Sequence, residues 1–158
     1  MKINSFAKLY ITIGVSLLAG FIGSIFTMSA VTTWYTTLVR PVLSPPNWVF
    51  GPVWTTLYIL MGISAFLIWK NGLDRKDVRK ALAVFGLQLI LNTTWSIIFF
   101  NLQSPAWAFV NIVAMWIAIV WTMILFYKIS RPAMWLLLPY IMWVSFAGYL
   151  NLMIWILN

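Results

Sequence analysis

The stretch WYTTLVRPVLSPPNWVFGPVWTTLY, residues Trp34 to Tyr58, holds four of the chain's seven prolines (Pro41, Pro45, Pro46, Pro52) and three of its eleven tryptophans (Trp34, Trp48, Trp54). Its one charge is Arg40, and long apolar runs flank it on both sides. A connection between membrane segments is ordinarily polar, whereas this one is stiff, aromatic and nearly uncharged. Each proline fixes its own φ and pushes the preceding residue out of helical geometry, so Pro41–Pro46 is expected to be extended and rigid. With Trp34, Pro45, Pro46 and Trp48 on it, the stretch reads as a lid that packs onto something. The alternative is an interfacial aromatic belt with a turn in it.

Composition decides the class. The 158 residues are 63% hydrophobic and 8% charged. A soluble domain carries nearer ~25% charged residues, so the apolar excess needs lipid as its solvent. The chain is therefore read as an integral membrane protein. A cleaved leader is not expected, because Gly20, Gly23 and Ser24 fall inside the first apolar run rather than at a cleavage site. The chain has no cysteine and no histidine, which removes disulfide and thiol chemistry.

Uncharged runs can be traced at Leu9–Ala30, Pro52–Trp69, Ala81–Leu102, Pro105–Tyr127 and Pro132–Leu157. Each reaches the ~18 residues that a helix needs to approach the ~30 Å of a hydrocarbon core. None alternates with period two, which excludes a membrane barrel. The fold class is all-α: a single domain, residues 1–158, made of five transmembrane helices with the Pro/Trp-rich lid between the first two. If each helix crosses once, Lys2, Lys8, Lys70, Arg75, Lys76, Arg79, Lys80, Lys128 and Arg131 share one side and Arg40 stands alone on the other. Basic residues favour the cytoplasmic face. The N-terminus is then inside, and the lid, the Gln103–Ser104 turn and the C-terminus are outside. The net charge of +8 is spread over helix ends rather than gathered on one folded face, so nucleic acid is not expected as a partner, whereas lipid headgroups are.

Local details follow from spacing. Ser16, Gly20 and Ser24 recur every four residues with Ala19 and Gly23 beside them, a pattern that lets helices approach closely, either in an internal seam or between subunits. Pro52, Pro105 and Pro132 are each placed to open a helix, with Ser104 as the N-cap before Pro105. Lys70–Lys80 is expected to be a solvated connection, with Asp77 near the start of the third helix.

Chemistry is limited by what the spans lack. Both acidic residues, Asp74 and Asp77, lie in that connection. No metal site, paired-carboxylate catalysis or buried proton relay is expected, and no cofactor. What remains in the spans is aromatic and amide: Gln88, Asn92 and Trp95 on one face of the third helix, Trp143, Ala147, Leu150 and Asn151 on the fifth, and Trp107, Val110 and Ala114 with Asn111 alongside on the fourth. A primary amide in hydrocarbon costs roughly 2–7 kcal/mol if left unsatisfied, so these amides face protein or a wet cavity. They are either interhelical ties among packed tryptophans or the polar points of a cavity for a flat, mostly apolar ligand.

These residues carry a resemblance. The pattern Trp34-Tyr35, Arg40-Pro41, Pro45-Pro46-x-Trp48 and Pro52-Val53-Trp54-Thr55-x-Leu57-Tyr58-x-x-Met61-Gly62 closely resembles the translocator protein family, whose bacterial members are called tryptophan-rich sensory proteins. Gln88-Leu89-x-Leu91-Asn92-x-x-Trp95, Phe99-Phe100, Pro139-Tyr140-x-x-Trp143-x-x-Phe146-Ala147, Leu150-Asn151 and Trp155 continue it in order. The resemblance implies a five-helix bundle whose cavity, under the first loop, binds porphyrins such as protoporphyrin IX and drugs of the benzodiazepine and isoquinoline-carboxamide types. Pocket positions that it implies are Ser24, Phe50, Trp54, Tyr58, Asn92, Trp95, Trp107, Trp143, Ala147 and Leu150. It also implies a homodimer in a bacterial plasma membrane, and light- and oxygen-dependent porphyrin breakdown with Trp54 and Trp143 as redox partners. The sterol motif of animal relatives needs a basic residue after an aromatic one in the last helix. Here Tyr149-Leu150-Asn151-Leu152 is followed by none, so tight cholesterol binding is not expected, and the short tail looks bacterial.

Two functions stand at this point. One is a receptor or translocator-like binder of tetrapyrroles; the other is an enzyme that degrades protoporphyrin through a tryptophan radical. A regulatory scaffold is the weaker third.

Overall fold

The computed structural model describes residues 4–158. Five helical stretches among them are long and apolar enough to cross a membrane: Ser5–Val31, Asn47–Trp69, Lys76–Asn101, Pro105–Ile129 and Arg131–Leu157. We label the helices α1 (Ser5–Val31), α2 (Trp34–Thr37, one turn), α3 (Asn47–Trp69), α4 (Lys76–Ser96), α5 (Pro105–Ile129), α6 (Arg131–Trp135) and α7 (Leu138–Leu157). A π turn, Ile97–Asn101, prolongs α4.

The five spans are where the apolar runs lie, but their ends differ. Helix α1 begins at Ser5, because Asn4 caps it by accepting the Ala7 N–H at 2.7 Å. Helix α4 begins at Lys76 rather than Ala81, so Lys76–Lys80 is its first turn and the connection is shorter than expected. Asp77 sits in that turn, accepts the Val78 N–H at 3.0 Å and pairs with Arg75 at 2.6 Å. A helix continues past the hydrocarbon once its orphan N–H groups are met, and hydropathy does not register this.

Prolines account for the other corrections. Pro52 does not open α3: the helix starts at Asn47 behind Pro46, whose φ of −56° and ψ of 144° are extended, and Pro52 lies inside it. Lacking an N–H, Pro52 leaves the Trp48 carbonyl without its usual i+4 partner. The fifth span is broken into α6 and α7 at Leu136–Leu137, because Pro139 has no N–H to offer Trp135. Pro105 and Pro132 do open α5 and α6. Ser104 occupies the N-cap of α5, though its side chain makes no capping bond. Nor is Pro41–Pro46 extended throughout, since a turn closes Ser44 N–H onto the Pro41 carbonyl at 2.9 Å.

Around the bundle α1 packs on α3 and α4, α4 on α5, α5 on α7 and α6, and α3 closes the ring against α6. Small residues make the α1 contacts close. A Cβ on Gly62 would meet the backbone of Ile13, one on Gly20 would enter the Tyr58 ring, and one on Gly23 would crowd Ser96. Thr93 donates to the Ala19 carbonyl at 3.1 Å. The small-residue stripe of α1 is therefore an internal seam.

Charge separates the two ends. Lys8 lies over Trp69, Lys80 over Trp121 and Arg131 over Tyr127, with cation-to-ring distances of 5.9, 5.9 and 5.3 Å. These contacts join the start of α1 to the end of α3, and helices that alternate in direction bring Lys70, Arg75, Lys76, Arg79 and Lys128 to the same end. Arg40 is at the other end, and Lys2 lies outside the described residues.

Candidate functional site

The half of the bundle beneath the Trp34–Pro46 connection is hollow. A cavity of about 740 Å³ lies between α1, α3, α4 with its π turn, and α7. Pockets for drug-sized ligands fall in the range of about 300–1,000 Å³. Every residue lining it is uncharged.

Its floor is a hydrogen-bonded chain through three helices. Tyr58 of α3 donates its hydroxyl to Asn92 Oδ1 of α4 at 2.5 Å. Asn92 Nδ2 donates to the Tyr140 hydroxyl of α7 at 3.0 Å, and Tyr140 donates in turn to Gln88 Oε1 at 2.7 Å. Gln88 Nε2 ends the chain on the Met61 sulfur at 3.8 Å. Asn92 and Gln88 are both buried. The amides therefore do both jobs considered above: they tie the helices together, and Asn92 also borders the cavity.

The walls are aromatic. Trp54 stacks on Tyr58, ring centres 5.6 Å apart at 27°, and meets Tyr140 edge-on at 6.3 Å. Across the space Trp95 stacks on Phe99 at 5.0 Å and 22°, with Phe100 perpendicular to it at 5.9 Å. The π turn makes this group possible. Its wider winding brings Phe99 and Phe100 to the cavity together with Trp95, where a regular helix would turn one of them away. Trp95 gives its indole N–H to Asn151 Oδ1 at 2.9 Å, and Asn151 Nδ2 reaches the Pro105 carbonyl at 2.8 Å. Trp95 thus presents a ring face, not a donor, to the cavity.

The connection above is fastened at several points. Trp34 meets Phe99 edge-on at 5.6 Å, and buried Tyr35 packs on Phe99 and Phe100. Burial pushes the Tyr35 phenol pKa up, and the nearby Arg40 guanidinium pulls part of that back. Further along, Val39 and Asn158 exchange two hydrogen bonds, at 2.9 and 3.1 Å.

Of the residues expected at the pocket, Ser24, Phe50, Trp54, Tyr58, Asn92, Trp95, Ala147 and Leu150 line the cavity. Two do not. Trp107 is 69% exposed on the outer face of α5, together with Val110, so that the stripe on this helix faces outward. Trp143 stands behind Phe50, meeting its ring edge-on at 5.8 Å, and its buried indole nitrogen has no partner. Of the expected lid residues, Pro45 is half-buried, and Pro46 and Trp48, the latter in the first turn of α3, are exposed; none of these three lines the cavity. A face of α1 bearing Phe21, Thr27 and Met28 does, as do Tyr35, Asn47 and Ser96. Uniform apolarity along α1 conceals which face points inward; for Phe99 and Phe100 the quoted motif was itself the signal.

The TspO/MBR family model matches residues 12–156. The Tryptophan-rich protein TspO of Chlorobaculum tepidum is 47% identical over 150 residues, 95% of each chain. Its namesake from Archaeoglobus fulgidus is 45% identical over 151 residues, 96% of this chain and 97% of its own. The Translocator protein of Homo sapiens is 39% identical over 137 residues, 85% of this chain and 80% of its own. The length of these matches and their identity lead to one assignment: the chain belongs to the TspO/MBR family.

Proposed function

We propose that this membrane protein binds flat, largely apolar molecules in the cavity between α1, α3, α4 and α7, protoporphyrin IX among them, and synthetic ligands of the benzodiazepine and isoquinoline-carboxamide types. The observation that carries the reading is the cavity itself: about 740 Å³, uncharged, walled by Trp54, Trp95, Phe99 and Phe100. Ring faces on two opposite walls suit a planar conjugated guest, and the few polar points at Asn92 and Ser24 orient it. The Trp34–Pro46 connection acts as the lid. By the distribution of basic residues, the N-terminus is cytoplasmic and the lid outside, in a bacterial plasma membrane. The working unit is a homodimer, to which the α1 small-residue stripe contributes nothing because it is used internally.

The test is titration of tryptophan fluorescence with protoporphyrin IX in the dark. Saturable quenching that survives Trp107→Phe and weakens in Trp54→Phe is the expected result. Non-saturable quenching in the parent protein would sink the assignment.

A second reading is degradation of the bound porphyrin in light and oxygen. What favours it is Trp54, on the cavity wall and stacked on Tyr58, so an indole adjoins the guest. Under illumination a new absorbing product is then expected from the complex, lost in Trp54→Phe and less affected in Trp143→Phe, because Trp143 stands behind Phe50 and does not line the cavity. If light does nothing beyond what free porphyrin undergoes in detergent, the protein is a binder alone.

A further inference from the structure

The cavity has no charged side chain in its lining, yet one guanidinium stands at its rim. Arg40 Nη1 donates to Asn47 Oδ1 at 3.3 Å, and Arg40 Cζ lies 5.6 Å from the centre of the Tyr35 ring. Asn47 and Tyr35 both line the cavity, and Arg40 itself is exposed. Among the described residues it forms no ion pair; the α-carboxylate of Asn158, whose side chain is bonded to neighbouring Val39, is not within salt-bridge distance of it. The two carboxylate side chains, Asp74 and Asp77, lie at the opposite end, where Asp77 is already held by Arg75 at 2.6 Å. All the other described basic residues are at that opposite end as well.

This asymmetry constrains a guest. An ionised group carried into the uncharged interior would lose its hydration with no counter-charge to replace it, which is strongly unfavourable. At the rim the balance reverses. Tyr35 and Asn47, both cavity-lining residues, hold the guanidinium on one face and at one nitrogen, and no other hydrogen bond engages its remaining N–H donors among the described residues. A guanidinium matches a carboxylate with two parallel hydrogen bonds, a geometry that a lysine does not reproduce.

We propose that Arg40 is the anion anchor of the cavity, and that the ligand class is an amphiphile with a flat apolar body and a terminal carboxylate, body inside and acid at the rim. This rests on the cavity reading above and adds which end of the ligand enters first. Neutral flat ligands gain nothing from Arg40.

The test compares protoporphyrin IX with its dimethyl ester on the full chain in a non-ionic detergent, by tryptophan quenching in the dark. The parent protein is expected to bind the diacid roughly five-fold more tightly than the ester, the scale of a solvent-accessible ion pair. In Arg40→Gln the diacid falls to the ester's level while the ester is unchanged, and Arg40→Lys keeps part of the preference. Raising salt to about 0.5 M, which shortens the screening length, removes the preference in the parent protein without any substitution. Equal binding of diacid and ester by the parent, or a preference that persists in Arg40→Gln, overturns the anchor and leaves the cavity reading intact. Saturable binding of neither compound overturns both.

Discussion

The two halves of this bundle are built from the same helices and solve opposite problems. Towards the cationic end, Met61, Ile68, Val78, Met115, Ile119 and Phe126 are buried to within 1% and fill the space between helices. Towards the other end Trp54 stacks on Tyr58, and Trp95, Phe99 and Phe100 pack against one another, and these walls leave about 740 Å³ open. Flexible aliphatic side chains interdigitate, whereas rigid rings stacked on their neighbours cannot fold inward to close a gap. The boundary between the halves is the polar chain Tyr58–Asn92–Tyr140–Gln88. A cavity in a membrane protein needs such a floor, because it holds the walls apart with directional bonds where packing is absent.

The strongest way to break this arrangement is to remove its central member. Asn92→Leu leaves the Tyr58 hydroxyl without its acceptor and the Tyr140 hydroxyl without its donor, both in buried residues. At ~1–3 kcal/mol for a buried polar group deprived of its partner, a loss of about 3 kcal/mol is expected, read as a lower unfolding midpoint in detergent. Gln88→Leu, at the far end of the same chain, should cost less. The double variant should fall short of the sum of the two, since the bonds belong to one network. Additive losses would mean that the two amides act separately.

A second comparison uses two helix-interior glycines. Gly62, in the packed half, faces the α1 backbone, and its Cβ would lie 2.5 Å from Ile13 Cα. Backbone cannot swing aside as a side-chain tip can, so Gly62→Ala is expected to cost about 2 kcal/mol by forcing α1 away from α3. Gly86 in α4 has nothing within 4 Å of its would-be Cβ, and Gly86→Ala should gain about 0.5 kcal/mol from helix propensity. Thermal midpoints of the two variants moving in the same direction would contradict the seam.

Legibility followed the same division. The five spans, their order and the placement of basic residues at one end could be read because hydropathy and charge are properties of segments. Asn92 and Trp95 could be placed in one group because α4 is regular up to Ser96, and i, i+4 reasoning holds along it. The same reasoning does not place Trp107, which lies on the outer face of α5. Its stripe with Val110 and Ala114 is as periodic as the others, but periodicity does not say which way a face points when both lipid and interior are apolar. Nor does sequence separate the two places Pro52 could take, because proline is tolerated in a first turn and equally inside a helix whose freed carbonyl finds another partner. The π turn leaves no mark in the sequence: no residue in Ile97–Asn101 is a helix breaker, and Phe99 and Phe100 within it pack against Trp34 and Tyr35.

That π turn also supplies the smallest effect worth measuring. The chain leaves it through Gln103, whose φ of 50° lies in the left-handed region. Leu102 N–H closes onto Ile97 O at 2.9 Å and Ser104 N–H onto Ile98 O at 3.2 Å, one residue wider than the usual glycine-terminated helix end. A left-handed non-glycine residue costs roughly 1–2 kcal/mol. Glycine avoids that cost but loses about 0.5–1 kcal/mol more conformational freedom on folding. Gln103→Gly should therefore stabilise by about 0.5 kcal/mol, a small upward shift of the unfolding midpoint. The cavity offers the sharper reading of the same variant. If the π turn is held in place by Trp34 and Tyr35 packing on Phe99 and Phe100, relieving the turn leaves porphyrin affinity unchanged. If affinity drops while stability rises, the strained turn is itself what holds Phe99 and Phe100 to the wall, and the rigidity of the cavity half originates in its backbone rather than in its stacked rings.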